Sequence, residues 1–145
     1  MNHFSSKDFS RTKNALEAER PERLHHPAVL STPDDAGFNR ERKHLVKIVD
    51  LPSKTISMTL GGLDPLQGSN RHRHSYETLI YILEGEGESH IDDRVVKWKA
   101  GDAIYVPVWA WHSHHNTSVN ARCLYLACEN APLLQNLGAA LREEA

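Results

Sequence analysis

The stretch Arg71-His72-Arg73-His74-Ser75-Tyr76-Glu77-Thr78-Leu79-Ile80-Tyr81-Ile82-Leu83-Glu84-Gly85 decides the fold, because it joins two closely spaced histidines to a run that reads as a buried strand. In extended backbone, side chains two apart leave the same face, so His72 and His74 point one way while Arg71 and Arg73 point the other. Two imidazoles so placed are a metal-ligand pair. Downstream lies Gly101-Asp102-Ala103-Ile104-Tyr105-Val106-Pro107-Val108-Trp109-Ala110-Trp111-His112-Ser113-His114-His115-Asn116. There a turn, a short strand and a proline bend lead into His112, a third candidate ligand, and His114 alternates onto the same side as His112.

Around these stretches the chain is a succession of short apolar runs divided by turn residues. The pattern predicts strands over 44–49, 54–60, 79–83, 88–91, 94–98, 103–106, 111–115 and 122–127. Gly61-Gly62 is expected to end the second, Gly85-Glu86-Gly87 to turn the third into the fourth, and Asp92-Asp93 to start a hairpin. Short strands at regular spacing with almost no helix between them mean an all-β sandwich or barrel. The run 79–83 is apolar on both faces, which predicts cover from both sides.

The two ends read differently. Residues 1–43 are polar; Ser10 is placed to cap a helix over 11–20 that ends before Pro21, and Leu16 with two alanines gives that helix little to bury. Adjacent His25 and His26 in a proline-containing loop do not share a face and are not expected to ligate. At the other end Asn130 is placed to cap a helix over 132–142, whose Leu133, Leu134, Leu137 and Leu141 form one stripe. That stripe requires cover, from its own barrel or from a neighbouring subunit.

At 145 residues the chain is long enough for one domain, and 39% hydrophobic with 25% charged residues places it among soluble globular proteins. A formal charge of −2 gives no electrostatic reason to expect nucleic acid as a partner. No apolar run approaches the ~20 residues that span a bilayer, and the N-terminus lacks the apolar core of a signal peptide, so a cytoplasmic protein without membrane partners is expected. Cys123 and Cys128 fall on opposite faces of one strand and are expected as reduced thiols.

Together the two quoted stretches resemble the two motifs of the cupin superfamily. Five residues separate Gly101 from Pro107 and three separate His112 from Asn116, at that family's spacing. The resemblance covers about 44–130 and implies an all-β fold: a single cupin jelly-roll β-barrel over 44–130, a polar N-terminal arm over 1–43 and a short C-terminal helix within 131–145. It also implies that His72, His74 and His112 converge on one divalent metal. Most metal-binding cupins add a glutamate seven positions before the glycine that closes the first motif, and that position here is Thr78. Glu77 stands one residue early, which sends it to the opposite face unless a bulge intervenes. Thr78 is therefore expected to face the lumen without ligating, and Glu77 to face away.

His72-Arg73-His74 without the glutamate, Leu83-Glu84-Gly85, Ala100-Gly101-Asp102 and Trp109-Ala110-Trp111-His112 are similar to the gentisate 1,2-dioxygenase branch of the cupins. That branch differs in carrying aspartate where this chain has Ser113, often arginine at the position of Ile80, and commonly two cupin domains. The resemblance implies Fe(II), although imidazole ligands also suit Zn, Ni, Mn or Cu. Three neutral imidazoles leave an octahedral ion its full charge and about three open positions, two for a hydroxylated aromatic acid and one for dioxygen. Tyr81, Tyr105, Trp109 and Trp111 are candidates for the wall of the substrate pocket, against the alternative that each is ordinary core. His114 is the candidate catalytic residue, as a hydrogen-bond donor behind the ligands or a proton carrier, against a satisfied polar residue at the barrel mouth. The expected function is ring cleavage of a gentisate- or salicylate-like acid. A metal-holding or ligand-binding cupin without catalysis and a sugar or organic-acid isomerase or lyase are the alternatives. A homodimer is expected from the doubly apolar run 79–83 and the striped tail.

Overall fold

A computed structural model of the chain describes residues 5–9, 16–33, 37, 39–40 and 44–145. Among them, strands β1 (Leu45–Ile48), β2 (Ser57–Leu63), β3 (His72–His74), β4 (Thr78–Glu84), β5 (Glu86–Ile91), β6 (Arg94–Lys99), β7 (Ala103–Val106), β8 (His112–Asn116) and β9 (Cys123–Glu129) are followed by helix α1 (Ala131–Asn136) and strand β10 (Arg142–Glu144). The strands form two five-stranded sheets, ordered β1-β2-β9-β4-β7 and β10-β3-β8-β5-β6. Every pairing is antiparallel. This is the all-β double sheet that the strand spacing predicts.

The core lies between the sheets and is built by alternation. Ile80 and Ile82 of β4, Ile104 and Val106 of β7 and Tyr125 and Ala127 of β9 meet Ile91 and Trp98 from the other sheet. Burying a side chain such as Ile82 contributes roughly 1.5–3 kcal/mol. The outward residues of β4 have no such cover: Leu79, Tyr81 and Leu83 are 61%, 47% and 44% exposed. The run 79–83 is thus sheltered by the described residues on one face only.

Two glycine positions show why turn residues misplace boundaries. Gly61 does not end β2, which runs on to Leu63. A Cβ there would sit 2.4 Å from the Tyr125 ring, so the residue makes room for an aromatic rather than a turn. Gly85 does turn the chain: its φ of +86° is left-handed, and a Cβ would lie 2.6 Å from the Arg122 carbonyl oxygen.

The tail departs from expectation. Helix α1 stops at Asn136 rather than continuing to 142, and Gly138, with φ of +70°, redirects the chain. Asn130 makes no side-chain cap; its Oδ1 accepts from the Glu77 backbone N–H at 3.0 Å. Residues 142–144 then form β10, which pairs with β3 as Arg142↔His74, Glu143↔Arg73 and Glu144↔His72. The edge of β3 supplies unpaired backbone groups, and satisfying them outweighs extending a short helix whose leucine stripe finds no core. Leu133, Leu137 and Leu141 accordingly remain exposed.

Of the helix expected over 11–20, residues 10–15 lie outside the described residues, and 16–20 are exposed and not helical. Among the described residues the arm is held by polar contacts. The Arg23 guanidinium donates to both Asp50 carboxylate oxygens at 2.9 and 3.0 Å, and the Asp50 N–H donates to His26 Nδ1 at 2.8 Å. Cys123 and Cys128 are free thiols, the first buried.

Candidate metal centre

Antiparallel register builds the centre. His72 on β3 stands directly across from His112 on β8, so these side chains share a face, and His74 joins them because it follows His72 by two. Ring centroids lie 4.3 Å apart for His72 and His112, 4.7 Å for His74 and His112, and 5.5 Å for His72 and His74. One potential ligand nitrogen from each ring lies within 4.8 Å of the other two.

The orientation of the rings is fixed from behind. Nδ1 of His72 lies 3.0 Å from the Asn70 carbonyl oxygen, that of His74 2.7 Å from Tyr76 and that of His112 2.9 Å from Ala110. A carbonyl only accepts, so in each pair Nδ1 carries the hydrogen and donates it. That tautomer puts the ring lone pair on Nε2, the nitrogen that would face a cation. Burial pushes the pKa of His72 down to about 3 and that of His112 down to about 4, with the neighbouring imidazoles adding to the effect. Rings neutral at physiological pH, with lone pairs converging, are the donor set a borderline divalent metal requires.

The centre opens on a cavity of about 150 Å³, lined also by Tyr76, Thr78, Ile80, Tyr125, Glu129 and Arg142. That is the size at which a protein cavity accepts one benzene ring. Thr78 faces this lumen and is 4% exposed, as expected for the position where most metal-binding cupins carry glutamate. Its Oγ1 donates to Glu129 Oε2 at 2.6 Å. Glu77 points away and accepts from the Tyr105 hydroxyl at 2.8 Å. The same Glu129 oxygen stands 3.7 Å from His74 Nε2.

His114 reaches the cavity beside His112, with ring centroids 5.7 Å apart, but is not one of the three converging rings. Its Nδ1 lies 2.7 Å from Ser89 Oγ, and Trp98 Nε1 donates to the same oxygen at 2.9 Å. Trp98 can only donate, so it fills one lone pair of Ser89; this hydroxyl is fully buried and His114 Nδ1 is the acceptor among its described contacts, so the hydroxyl hydrogen goes there and the ring hydrogen sits on Nε2. Burial holds the His114 pKa well below its ordinary value, so the ring is neutral.

The four aromatic residues expected to wall the pocket do not line it. Tyr81 and Tyr105 leave the outer face of β4 and β7, because strand alternation assigns the inner face to Ile80, Ile82, Ile104 and Val106. Trp109 and Trp111 stack on Arg73, whose guanidinium carbon is 4.5 Å from each ring centre, on the face of β3 opposite to His72 and His74. The aromatic residues that do line the cavity are Tyr76, stacked on His74 at 3.9 Å, and Tyr125. Glu129 was within reach of sequence reasoning, since it continues the inward alternation of Tyr125 and Ala127; the expected end of that strand at 127 hid it. Arg142 was not, because a helix was expected there.

Residues 60–127 match the sequence profile described as "Cupin domain". With its two sheets and inward histidines, the barrel has a cupin-like fold. The chain is similar to a 5-aminosalicylate 1,2-dioxygenase from Comamonas sp., at 31% identity over 91 residues that cover 63% of this chain and 24% of that one. It is also similar to a 5-nitrosalicylic acid 1,2-dioxygenase from Bradyrhizobium sp., at 29% identity over 120 residues covering 76% of this chain and 58% of that one. Among solved structures, a salicylate 1,2-dioxygenase from Pseudaminobacter salicylatoxidans shares the fold with a TM-score of 0.66 at 23% identity, covering 73% of this chain and 32% of that one. The chain thus spans about a quarter of the length of the first of these relatives and less than two thirds of the others. Among the described residues, no helix is long and apolar enough to cross a membrane.

Proposed function

We propose that the protein is a mononuclear non-haem iron dioxygenase that opens the ring of a small hydroxylated aromatic acid of the salicylate or gentisate type. The observation that carries the reading is the set of three imidazoles, each with Nδ1–H tied to a backbone carbonyl, converging at the head of a cavity sized for one ring. The similarity to salicylate-type 1,2-dioxygenases supports it.

His72, His74 and His112 would hold the iron, which when bound supplies the redox chemistry that joins dioxygen to an aromatic ring. The chain's own residues do the rest. Neutral ligands leave the ion's charge uncancelled, so an anionic chelate is attracted. Ile80 and Ala127 give the cavity an apolar side that excludes water around a planar ring. His114, neutral and carrying its hydrogen on Nε2, offers a donor to a ligand oxygen without adding charge. In this reading the protein is a cytoplasmic homodimer that takes a small aromatic acid and dioxygen, with no nucleic-acid or membrane partner.

The test is anaerobic purification and metal analysis, then oxygen uptake against a panel of hydroxybenzoates. One oxygen consumed per ring lost is expected. His112→Ala should lower metal occupancy and turnover together, since it removes one of three protein ligands. Iron-loaded protein that binds hydroxybenzoates without consuming oxygen would make it a ligand-binding cupin instead.

A further inference from the structure

The tail strand brings a charge to the cavity that the reading above does not use. In an antiparallel ladder, residues directly opposite point to the same side. Arg142 is paired with His74 and Glu144 with His72, so both tail side chains leave on the face of the metal centre, while Glu143 leaves on the other face with Arg73. The ion pair between Arg73 and Glu143, at 2.7 Å, confirms that division. Arg142 is the only lysine or arginine among the cavity-lining residues described, and its side chain is 24% exposed.

Resting on the reading of the site as one for an aromatic acid, we infer that Arg142, delivered by β10 beside His74, anchors the carboxylate of the bound acid and selects carboxylated over uncharged ring ligands. A guanidinium matches a carboxylate with two parallel N–H donors, a geometry that no other cavity-lining side chain described here offers. Its present partner is Glu144, on the same strand and 48% exposed. An ion pair that open to solvent holds weakly, so an incoming carboxylate can displace it. The tail strand would therefore complete the substrate site as well as close the edge of β3.

The experiment titrates metal-loaded protein anaerobically with two probes, salicylate, which carries a carboxylate, and catechol, which has two hydroxyls and none. Binding is read from the metal's optical change or by calorimetry. Arg142→Gln should weaken salicylate roughly tenfold or more, the scale of a lost charge-assisted pair, while catechol changes less than about twofold. Equal losses for both probes, or unchanged salicylate affinity, would overturn the inference. Should Arg142→Gln lose metal or fold poorly, two further variants decide. Arg142→Lys is expected to weaken salicylate several-fold relative to catechol, and Glu144→Gln to tighten it; no selective change in either rejects the assignment. Selective salicylate binding without oxygen uptake upholds Arg142 and rejects ring cleavage. Oxygen uptake with salicylate affinity unmoved by Arg142→Gln does the reverse.

Discussion

Thr78 and Glu129 are partners across the β4–β9 ladder, and the Thr78 hydroxyl donates a 2.6 Å hydrogen bond to the carboxylate oxygen that stands 3.7 Å from His74 Nε2. The chain thus has no carboxylate at position 78, but it aims one at the site from the neighbouring strand. Glu129 is largely buried, its side chain 22% exposed, so the loss of a donor is costly.

Thr78→Val keeps the shape and removes that donor. Stability should fall by about 1.5–3 kcal/mol, as for a hydrogen bond to a charged group, in urea unfolding of the metal-free protein. Glu129→Gln removes a negative charge beside His74 and should weaken divalent-metal binding by roughly tenfold, the effect typical of groups just behind a ligand, in a chelator competition assay.

The Trp98–Ser89–His114 chain fixes which nitrogen of His114 carries the hydrogen. Ser89→Ala should leave metal content unchanged, because the three converging rings do not depend on Ser89. It should lower kcat for the proposed ring cleavage by roughly tenfold or more while moving KM little, since the donor on Nε2 loses its tautomer and its aim. Loss of metal from Ser89→Ala would show instead that the network holds the barrel together.

Sequence carried the three-histidine cluster further than it carried the cavity wall. His72, His74 and His112 were legible because metal ligands must share a face, and a spacing of two in a strand guarantees that. Thr78 and Glu77 were legible for the same reason. The aromatic wall was not: Tyr81 and Tyr105 sit in a run apolar on both sides, where alternation cannot say which face is inner, and Trp109 itself takes a positive φ of 64°, which breaks the count. The tail was misplaced because its leucine period is helical, while the free edge of β3 that turns 142–144 into a strand exists only once the barrel has formed. Asn116 shows the converse case. Its motif position is explained by its amide donating to the Leu63 and Ala121 carbonyls at 3.1 and 2.8 Å, which ties β8 to the loop before β9.

Leu79, Tyr81 and Leu83 on β4 and Tyr105 on β7 leave an apolar outer face that the described residues do not cover. A homodimer burying it is the expected state, and sedimentation at micromolar concentration should give twice the chain mass. Leu79→Glu with Leu83→Glu should shift the protein to monomer while leaving the inward core of β4 intact. A wild-type monomer at that concentration would count against the arrangement.

Acid should unfold the metal-free protein earlier than its carboxylates alone would. Burial lowers the pKa of His72 to about 3, that of His112 to about 4 and that of His114 well below the ordinary value, whereas unfolded histidine titrates near 6.5. As pH falls through about 6.5 the unfolded chain takes up protons at these three positions and the folded chain does not, so the unfolded state is favoured. The stability these neutral rings contribute is fully present above about pH 6.5. It is lost progressively below that, each ring contributing at most about 1.4 kcal/mol per pH unit, until the folded rings protonate too. Asp50 and Glu88, whose pKa values are lowered by Arg23 and His90 respectively, begin to act only at lower pH, as it falls through the ordinary carboxylate range. Urea midpoints of metal-free protein should therefore drop between pH 7 and pH 5. His72→Asn should flatten that slope, whereas a bound divalent ion should raise the midpoints without removing it, because the folded rings carry no added proton in that window with or without metal. Midpoints unchanged across that window would mean that the three rings are as well solvated folded as unfolded.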